Sequence, residues 1–335
     1  MTELDPTLDP TLGTCLSGTG GIWRVRRDTG DVVEASLRGR VKKSTSGRRA
    51  DGSIRRDTIS SAAETRKLAI GDRVALECEN DGSACAIAEI LPRRSQLARR
   101  APGGGHGERV VAANVDQVVV VFAAANPEPH PRMLDRFLVI AEANGLSARV
   151  VINKVELVGG AEAARERWLD YERAGYPVHF TSVKQHEGLE ALHDALAGQV
   201  SVLTGPSGVG KSSLLNSMFP GLDLRVGEIS ESVNKGRHTT VGGYLHPLPG
   251  TSDGYVADTP GLREVGMWAL SPTELDVCFP ELRPYLDDCR FADCKHSVEP
   301  DCGVRTAVQQ GDVSRARYES YVKLREELEE SAPGW

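Results

Sequence analysis

Two hydrophobic rhythms divide this chain. Between residues 21 and 92, apolar and polar positions alternate in short runs: Ile22–Arg26, Val32–Leu37, Asp72–Cys78 and Ala84–Leu91. A period of two marks half-buried strands. Asn80-Asp81-Gly82 supplies a hairpin turn between the last two runs. Four or five short strands in about 70 residues suit a small closed barrel such as an OB-fold. From residue 110 the rhythm changes. Val118–Phe122 and Arg149–Ile152 are continuous apolar runs rich in β-branched residues, and Met133, Phe137, Leu138, Ile140 and Ala141 between them follow helical spacing. Further strands are expected at Tyr176–Phe180, Val200–Thr204 and Tyr255–Ala257, and helices near 159–174, 187–197 and 212–219. Strands alternating with helices predict a parallel sheet covered on both faces, with ligands at the carboxyl ends of its strands.

The remaining segments complete a multidomain α/β reading. Residues 1–20 read as a disordered arm with a strand start at its end, 21–92 as the barrel, 93–109 as a basic Arg/Gly-rich linker and 110–270 as the nucleotide domain. Residues 271–335 form an α-helical C-terminal domain. It opens on the helix-start signature Ser271-Pro272-Thr273-Glu274 and closes with a charged helix from Val313 to Glu330, with Tyr318, Tyr321 and Leu324 on one face.

Charge sharpens this division. The net charge is −7, yet Trp23 to Arg100 holds 18 Lys/Arg against 11 Asp/Glu, which leaves −14 for the remainder. A basic module on an acidic protein points to a polyanionic partner, most simply nucleic acid. Lys42 to Arg49, followed by Arg55-Arg56, reads as a basic loop suited to a phosphate backbone. Aromatic residues for base stacking are nearly absent there, Trp23 excepted, so shape and phosphate contacts are favoured over sequence reading. The N-terminus lacks the pattern of a signal peptide, and no apolar run approaches the roughly 20 residues that span a bilayer. A cytoplasmic protein with no membrane partner is expected.

The chemistry centres on Gly205-Pro206-Ser207-Gly208-Val209-Gly210-Lys211-Ser212-Ser213, set between an apolar strand and a helix start. That is the context a phosphate-binding P-loop requires. Its backbone N–H groups and the helix N-terminus cradle phosphates, Lys211 reaches the β- and γ-phosphates, and Ser212 ligates Mg²⁺. Three further loops fit the same site. Asp258-Thr259-Pro260-Gly261 offers a carboxylate for Mg²⁺ and, at Gly261, an N–H for a γ-phosphate. Thr239 or Thr240, in Gly236-Arg237-His238-Thr239-Thr240, can ligate Mg²⁺ when a triphosphate is bound. Asn153-Lys154-Val155-Glu156 places a carboxylate where the two N–H donors of guanine could be read. Thr181-Ser182-Val183-Lys184 could cover the base through Ser182 and Val183.

Leu262, after this last glycine, replaces the glutamine that orients water in Ras-like enzymes, so intrinsic hydrolysis should be slow. His238 is the candidate substitute. Cys289, Cys294, His296 and Cys302 offer three thiolates and an imidazole, which fits structural Zn²⁺. Cys15, Cys78, Cys85 and Cys278 read as small buried or surface residues.

In ordinary regulatory GTPases the guanine-reading motifs follow DxxG; here they precede the P-loop. The order NKxE, TSVK, GPSGVGKSS, HTT and DTPG resembles a circularly permuted GTPase. With Ala112–Gln117, Gly236–Thr240 and the C-x4-C-x-H-x5-C cluster, the chain resembles the ribosome small-subunit-dependent GTPase A family from about residue 20 to 330. The resemblance implies an N-terminal OB-fold, a permuted GTPase core and a C-terminal zinc domain. It further implies binding to the small ribosomal subunit late in its assembly, with GTP hydrolysis stimulated by the subunit, and it too points to His238. On this reading the barrel and the zinc domain grip rRNA, nucleotide state controls release, and the protein acts as a monomer. Alternatives are a permuted GTPase for large-subunit assembly or translation, and a nucleotide-regulated RNA-binding scaffold without turnover. The family usually has aspartate where Glu156 stands. Glutamate keeps both acceptor oxygens on a stem one methylene longer, so guanine preference is expected to survive.

Overall fold

A computed structural model describes residues 9–37, 67–79, 84–100, 108–224, 243–251, 253–258 and 270–331. Five strands close a barrel: β1 (Leu12–Thr19), β2 (Ile22–Arg27), β3 (Val32–Leu37), β4 (Arg73–Cys78) and β5 (Cys85–Ile90), in the order β1-β2-β3-β5-β4. β1 pairs with both β2 and β4 and so leaves no open edge. Trp23, Val25, Val74, Leu76 and Ile87 fill the interior.

The first strand starts at Leu12, earlier than the strand start expected at the end of the arm. Its sequence, Leu-Gly-Thr-Cys-Leu-Ser-Gly-Thr, has none of the β-branched alternation that marks its partners. It is extended because it pairs on two sides, and its glycines are there for close packing. A Cβ on Gly18 would lie 2.6 Å from the Trp23 ring. Cys78 and Cys85, expected to be unpaired, face each other across β4 and β5 and form a disulfide.

The expected basic linker is also partly ordered. β6 (Gln96–Arg100) and β7 (Glu108–Ala113) pair as an antiparallel ribbon. Arg93 explains why this stretch is fixed. Its guanidinium grips the fully buried Asp72 carboxylate at 2.7 and 2.9 Å and donates to the Lys67 carbonyl at 2.9 Å. The arginine reads as linker charge in the sequence but straps the barrel to the ribbon.

The central sheet runs β10-β9-β8-β11-β13-β12. β8 (Gln117–Ala123), β9 (Ser147–Asn153), β10 (Val178–Thr181), β11 (Val200–Thr204) and β13 (Tyr255–Asp258) are parallel, and β12 (Tyr244–Pro247) is an antiparallel edge. Every residue of β8 is buried, as a central strand covered on both faces requires. Helices α1 (Pro131–Ala143), α2 (Ala161–Arg173), α3 (Leu189–Leu196) and α4 (Lys211–Met218) flank it. On α1, Leu134 rather than Met133 begins the buried stripe, and Met133 is 43% exposed.

The C-terminal part opens on Ser271, whose capping box with Glu274 serves a single 3-10 turn. It continues to α5 (Gly303–Gln310) and α6 (Arg315–Ser331). One apolar core runs through all these parts. It joins Leu16 and Ile70 of the barrel region, Leu97 of the ribbon, Phe122 and Leu134 of the sheet layer, and Phe279, Tyr321 and Leu324 of the C-terminal part.

Arg317 on α6 pins that last junction. It is 3% exposed, ion-paired to Asp135 of α1 and bound at 2.6 Å to Glu281. Its guanidinium lies over Phe279, Tyr171 and Tyr176 at 4.7, 5.2 and 5.8 Å.

Candidate functional site

Chain order reverses direction in the sheet between β8 and β11, the place where open α/β sheets bind ligands. The loop from β11 into α4 sits there, and it is Gly205 to Gly210. Lys211 is 5% exposed and folds its amine back onto the carbonyls of Gly205 and Pro206 at 3.0 and 2.8 Å. Ser212, in the first turn of α4, is 6% exposed. Ser207 and Gly208 lie on the exposed rim of the loop, and Val209 packs fully buried in the core beneath it. Ser213 is half-buried on α4. Asp258 ends β13, next to β11, so its carboxylate emerges at the same end of the sheet as Ser212.

The loop after β9 is latched to this one. Asn153 Nδ2 donates to the Val209 carbonyl at 2.9 Å, and its Oδ1 accepts from the Thr181 hydroxyl at 3.2 Å. The latch requires a bare backbone at Gly210, where a Cβ would lie 2.6 Å from Asn153 Nδ2. Lys154 adopts a left-handed backbone (φ 64°) and donates to the Gly208 carbonyl at 2.7 Å and to the Asn126 carbonyl. Three strand-end loops thus become one rigid rim.

Glu156 stands two residues beyond Lys154, and its Oε2 is buried with no hydrogen-bond partner among the described residues. A buried carboxylate oxygen without a donor is costly, and it marks a place for a ligand N–H. After β10, Ser182 is fully buried. It exchanges backbone hydrogen bonds with Glu187, and its hydroxyl accepts from Gln185 N at 3.1 Å. This closes a tight turn that carries Val183 half-buried against the core.

One contributor was not singled out from the sequence: Asn126, in the β8–α1 connection. The only sequence signal for Asn126 is the turn-forming Asn-Pro pair. His238, Thr239, Thr240 and Gly261 lie outside the described residues.

A second site forms in the C-terminal part. Cys289, Cys294, His296 and Cys302 bring their ligand atoms within 4.8 Å of one another. Cys289 Sγ is 3.9 Å from Cys302 Sγ, and His296 Nδ1 is 3.5 and 3.4 Å from those two sulfurs. His296 Nε2 lies 3.4 Å from the Asp276 carboxylate, which fixes the tautomer that leaves Nδ1 facing the thiols. Burial pushes the Cys302 thiol up to about 12. Three thiols packed this way ionise only against a cation, so the donor set fits a metal ion.

Taken together, the barrel, the latched P-loop and the reversed order of the loops define a circularly permuted P-loop GTPase. The RsgA GTPase family model matches residues 90–268. A "Small ribosomal subunit biogenesis GTPase RsgA" from Gemmatimonas aurantiaca is 57% identical over 95% of this chain and 97% of its own length. One from Bacteroides fragilis is 34% identical over the same shares of the two chains. The chain belongs to the RsgA GTPase family. Among solved structures, YjeQ from Thermotoga maritima is similar with a TM-score of 0.74 at 32% identity, over 95% of this chain and 98% of that one. YloQ, described as a circularly permuted GTPase, is similar with a TM-score of 0.69 at 28% identity, over 97% and 96%. The barrel, permuted core and GTPase activity expected from the sequence therefore stand. Among the described residues no helix is long and apolar enough to cross a membrane.

Proposed function

We propose that this chain hydrolyses GTP while bound to the small ribosomal subunit, that it assists late assembly of that subunit, and that hydrolysis is coupled to its release. The observation that carries this reading is a P-loop latched to the preceding Asn153–Lys154 loop in permuted order, in a chain 57% identical over 95% of its length to a relative named for small-subunit biogenesis. The P-loop, Gly205 to Ser213, takes the phosphates. Glu156 accepts both guanine donors with its carboxylate, and Asn153 and Lys154 hold the base-side loop in place. Ser182 and Val183 close over the base. Ser212, Asp258, Thr239 and Thr240 supply the hard oxygen donors Mg²⁺ prefers. Held there, Mg²⁺ would offset charge developing on the β- and γ-phosphate oxygens. Gly261 reports the γ-phosphate, and His238 positions the attacking water.

For the second site we propose structural Zn²⁺. Tetrahedral bonds of about 2.3 Å to sulfur place ligand atoms about 3.8 Å apart, close to the spacing of Cys289 and Cys302. Four protein ligands leave no open position, so the ion has no catalytic part. The barrel module, with its basic excess, is the rRNA-facing element, and the protein works as a cytoplasmic monomer.

Turnover measured with purified small and large subunits tests the reading. Stimulation by the small subunit alone is expected, and it should vanish in His238→Ala. Stimulation by the large subunit, or no turnover under any condition, would replace this reading with a large-subunit factor or a scaffold.

A further inference from the structure

The loops that carry the metal ligands present unusual surface. Val298 is 84% exposed, the most exposed large apolar side chain among the described residues, and Phe291 on the same ligand-bearing stretch is 41% exposed. The loop that displays Val298 is held rigidly. The Glu299 carboxylate accepts from the backbone N–H groups of Lys295, Ser297 and Val298 at 3.2, 2.9 and 3.0 Å. Desolvation pushes that carboxyl up, but the donated amides together outweigh it and hold it at about 2. From the other side, Tyr318 and Tyr321 of α6 donate to the carbonyls of His296 and Lys295 at 2.7 and 3.1 Å. The ordering entropy of this loop is therefore already spent in the free protein, the condition under which a small apolar contact contributes to affinity.

The charge around this apex is negative. Between Asp287 and Asp301 there are five acidic residues and two basic ones. Both bases are already paired, Arg290 with Asp301 at 3.1 Å and Lys295 with Glu329 at 3.2 Å. Residues 271–335 as a whole hold 14 acidic and 8 basic residues. Surfaces that meet nucleic acid are strongly positive, because each phosphate contact displaces counterions. This one has the opposite sign, while the stretch from Trp23 to Arg100, barrel and linker arginines together, carries +7.

We infer that the metal-bearing knuckle docks on a basic protein surface of the assembling subunit, with Val298 as its apolar anchor, and not on RNA. The inference rests on the small-subunit reading above. It divides that partner between two modules by charge: RNA to the barrel, basic protein to the knuckle. Complementary charge steers the encounter, and the preorganised apex fixes the register.

The test uses the full-length, metal-loaded protein with a benzophenone side chain at position 298, bound to purified small subunits with a non-hydrolysable GTP analogue and irradiated. A nuclease-resistant adduct to a basic ribosomal protein is expected. An adduct in RNA would overturn the inference, as would no adduct at 298 when a benzophenone at the exposed barrel residue Ile22 does cross-link. If the unmodified chain does not co-sediment with small subunits, the underlying function fails and this inference with it. Independently, Val298→Asp should weaken subunit binding about 10-fold with metal content and thermal midpoint unchanged. Unchanged binding by that variant would also sink the idea.

Discussion

Asn153 reaches across the site to the main chain of Val209, donating to its carbonyl at 2.9 Å while accepting from Thr181 on the far side. One side chain thereby ties the loops after β9 and β10 to the P-loop. Asn153→Ala leaves a buried carbonyl without its donor, at about 1–3 kcal/mol. GDP affinity should fall roughly 10- to 100-fold, read by titration with a fluorescent GDP analogue, with the far-ultraviolet spectrum unchanged.

On the proposed assignment, Glu156 sets the choice of base. Xanthine presents a carbonyl where guanine presents its exocyclic amine, so a carboxylate at 156 disfavours xanthine and an amide accepts it. Glu156→Gln should lose at least 10-fold in GTP affinity and gain in XTP affinity relative to the parent. A parent chain that binds GTP and ATP alike in competition would refute the assignment.

Arg317 is the test of the junction between the C-terminal part and the core. Arg317→Ala strands the buried carboxylates of Asp135 and Glu281 and removes a cation from three aromatic rings. Breaking a buried pair costs about 3–5 kcal/mol. The urea midpoint should drop, and Arg317→Met should recover part of the loss if the fault is the stranded charge and Asp135→Asn is added beside it.

His179 predicts an acid-sensitive sheet. Burial, and then the Arg149 charge, bring its imidazole down to about 4. Arg149 Nη1 donates to its Nε2 at 2.7 Å, so the neutral ring is the acceptor. The unfolded chain binds this proton near pH 6.5 and the folded one only near 4. Stability is therefore full above about 6.5 and is lost as pH falls from there towards 4. His179→Gln, which keeps an acceptor, should flatten that slope in urea titrations between pH 7.5 and 4.5.

How legible this molecule was depended on the range of each interaction. The P-loop and the loops after β9 and β10 could be placed because each follows its own apolar strand, and a strand end is a local signal. The Cys/His cluster could be placed because four donors fall within 14 residues. Strand β1 could be read only as a strand start at the end of the arm, since its extension comes from neighbours on both sides and its glycines argue against a longer strand. Arg317 and Arg93 could not be read. A lone arginine in a charged helix or a basic linker reads as solvated surface until a distant carboxylate is placed against it. Met133 failed by one position, because helical spacing fixes a stripe only to within a residue when a leucine stands beside it.

The apolar core shared by barrel, sheet and C-terminal part has a consequence for how a partner is held. A molecule with two gripping ends joined by a flexible tether can close on targets at many spacings. Here Leu16 and Leu324 belong to one continuous apolar core. On the function proposed above, that core sets the two footprints at a single span, so the second grip would form at high effective concentration only where the partner's two sites match it. Such a chain would act as a go/no-go gauge of its partner's finished dimensions.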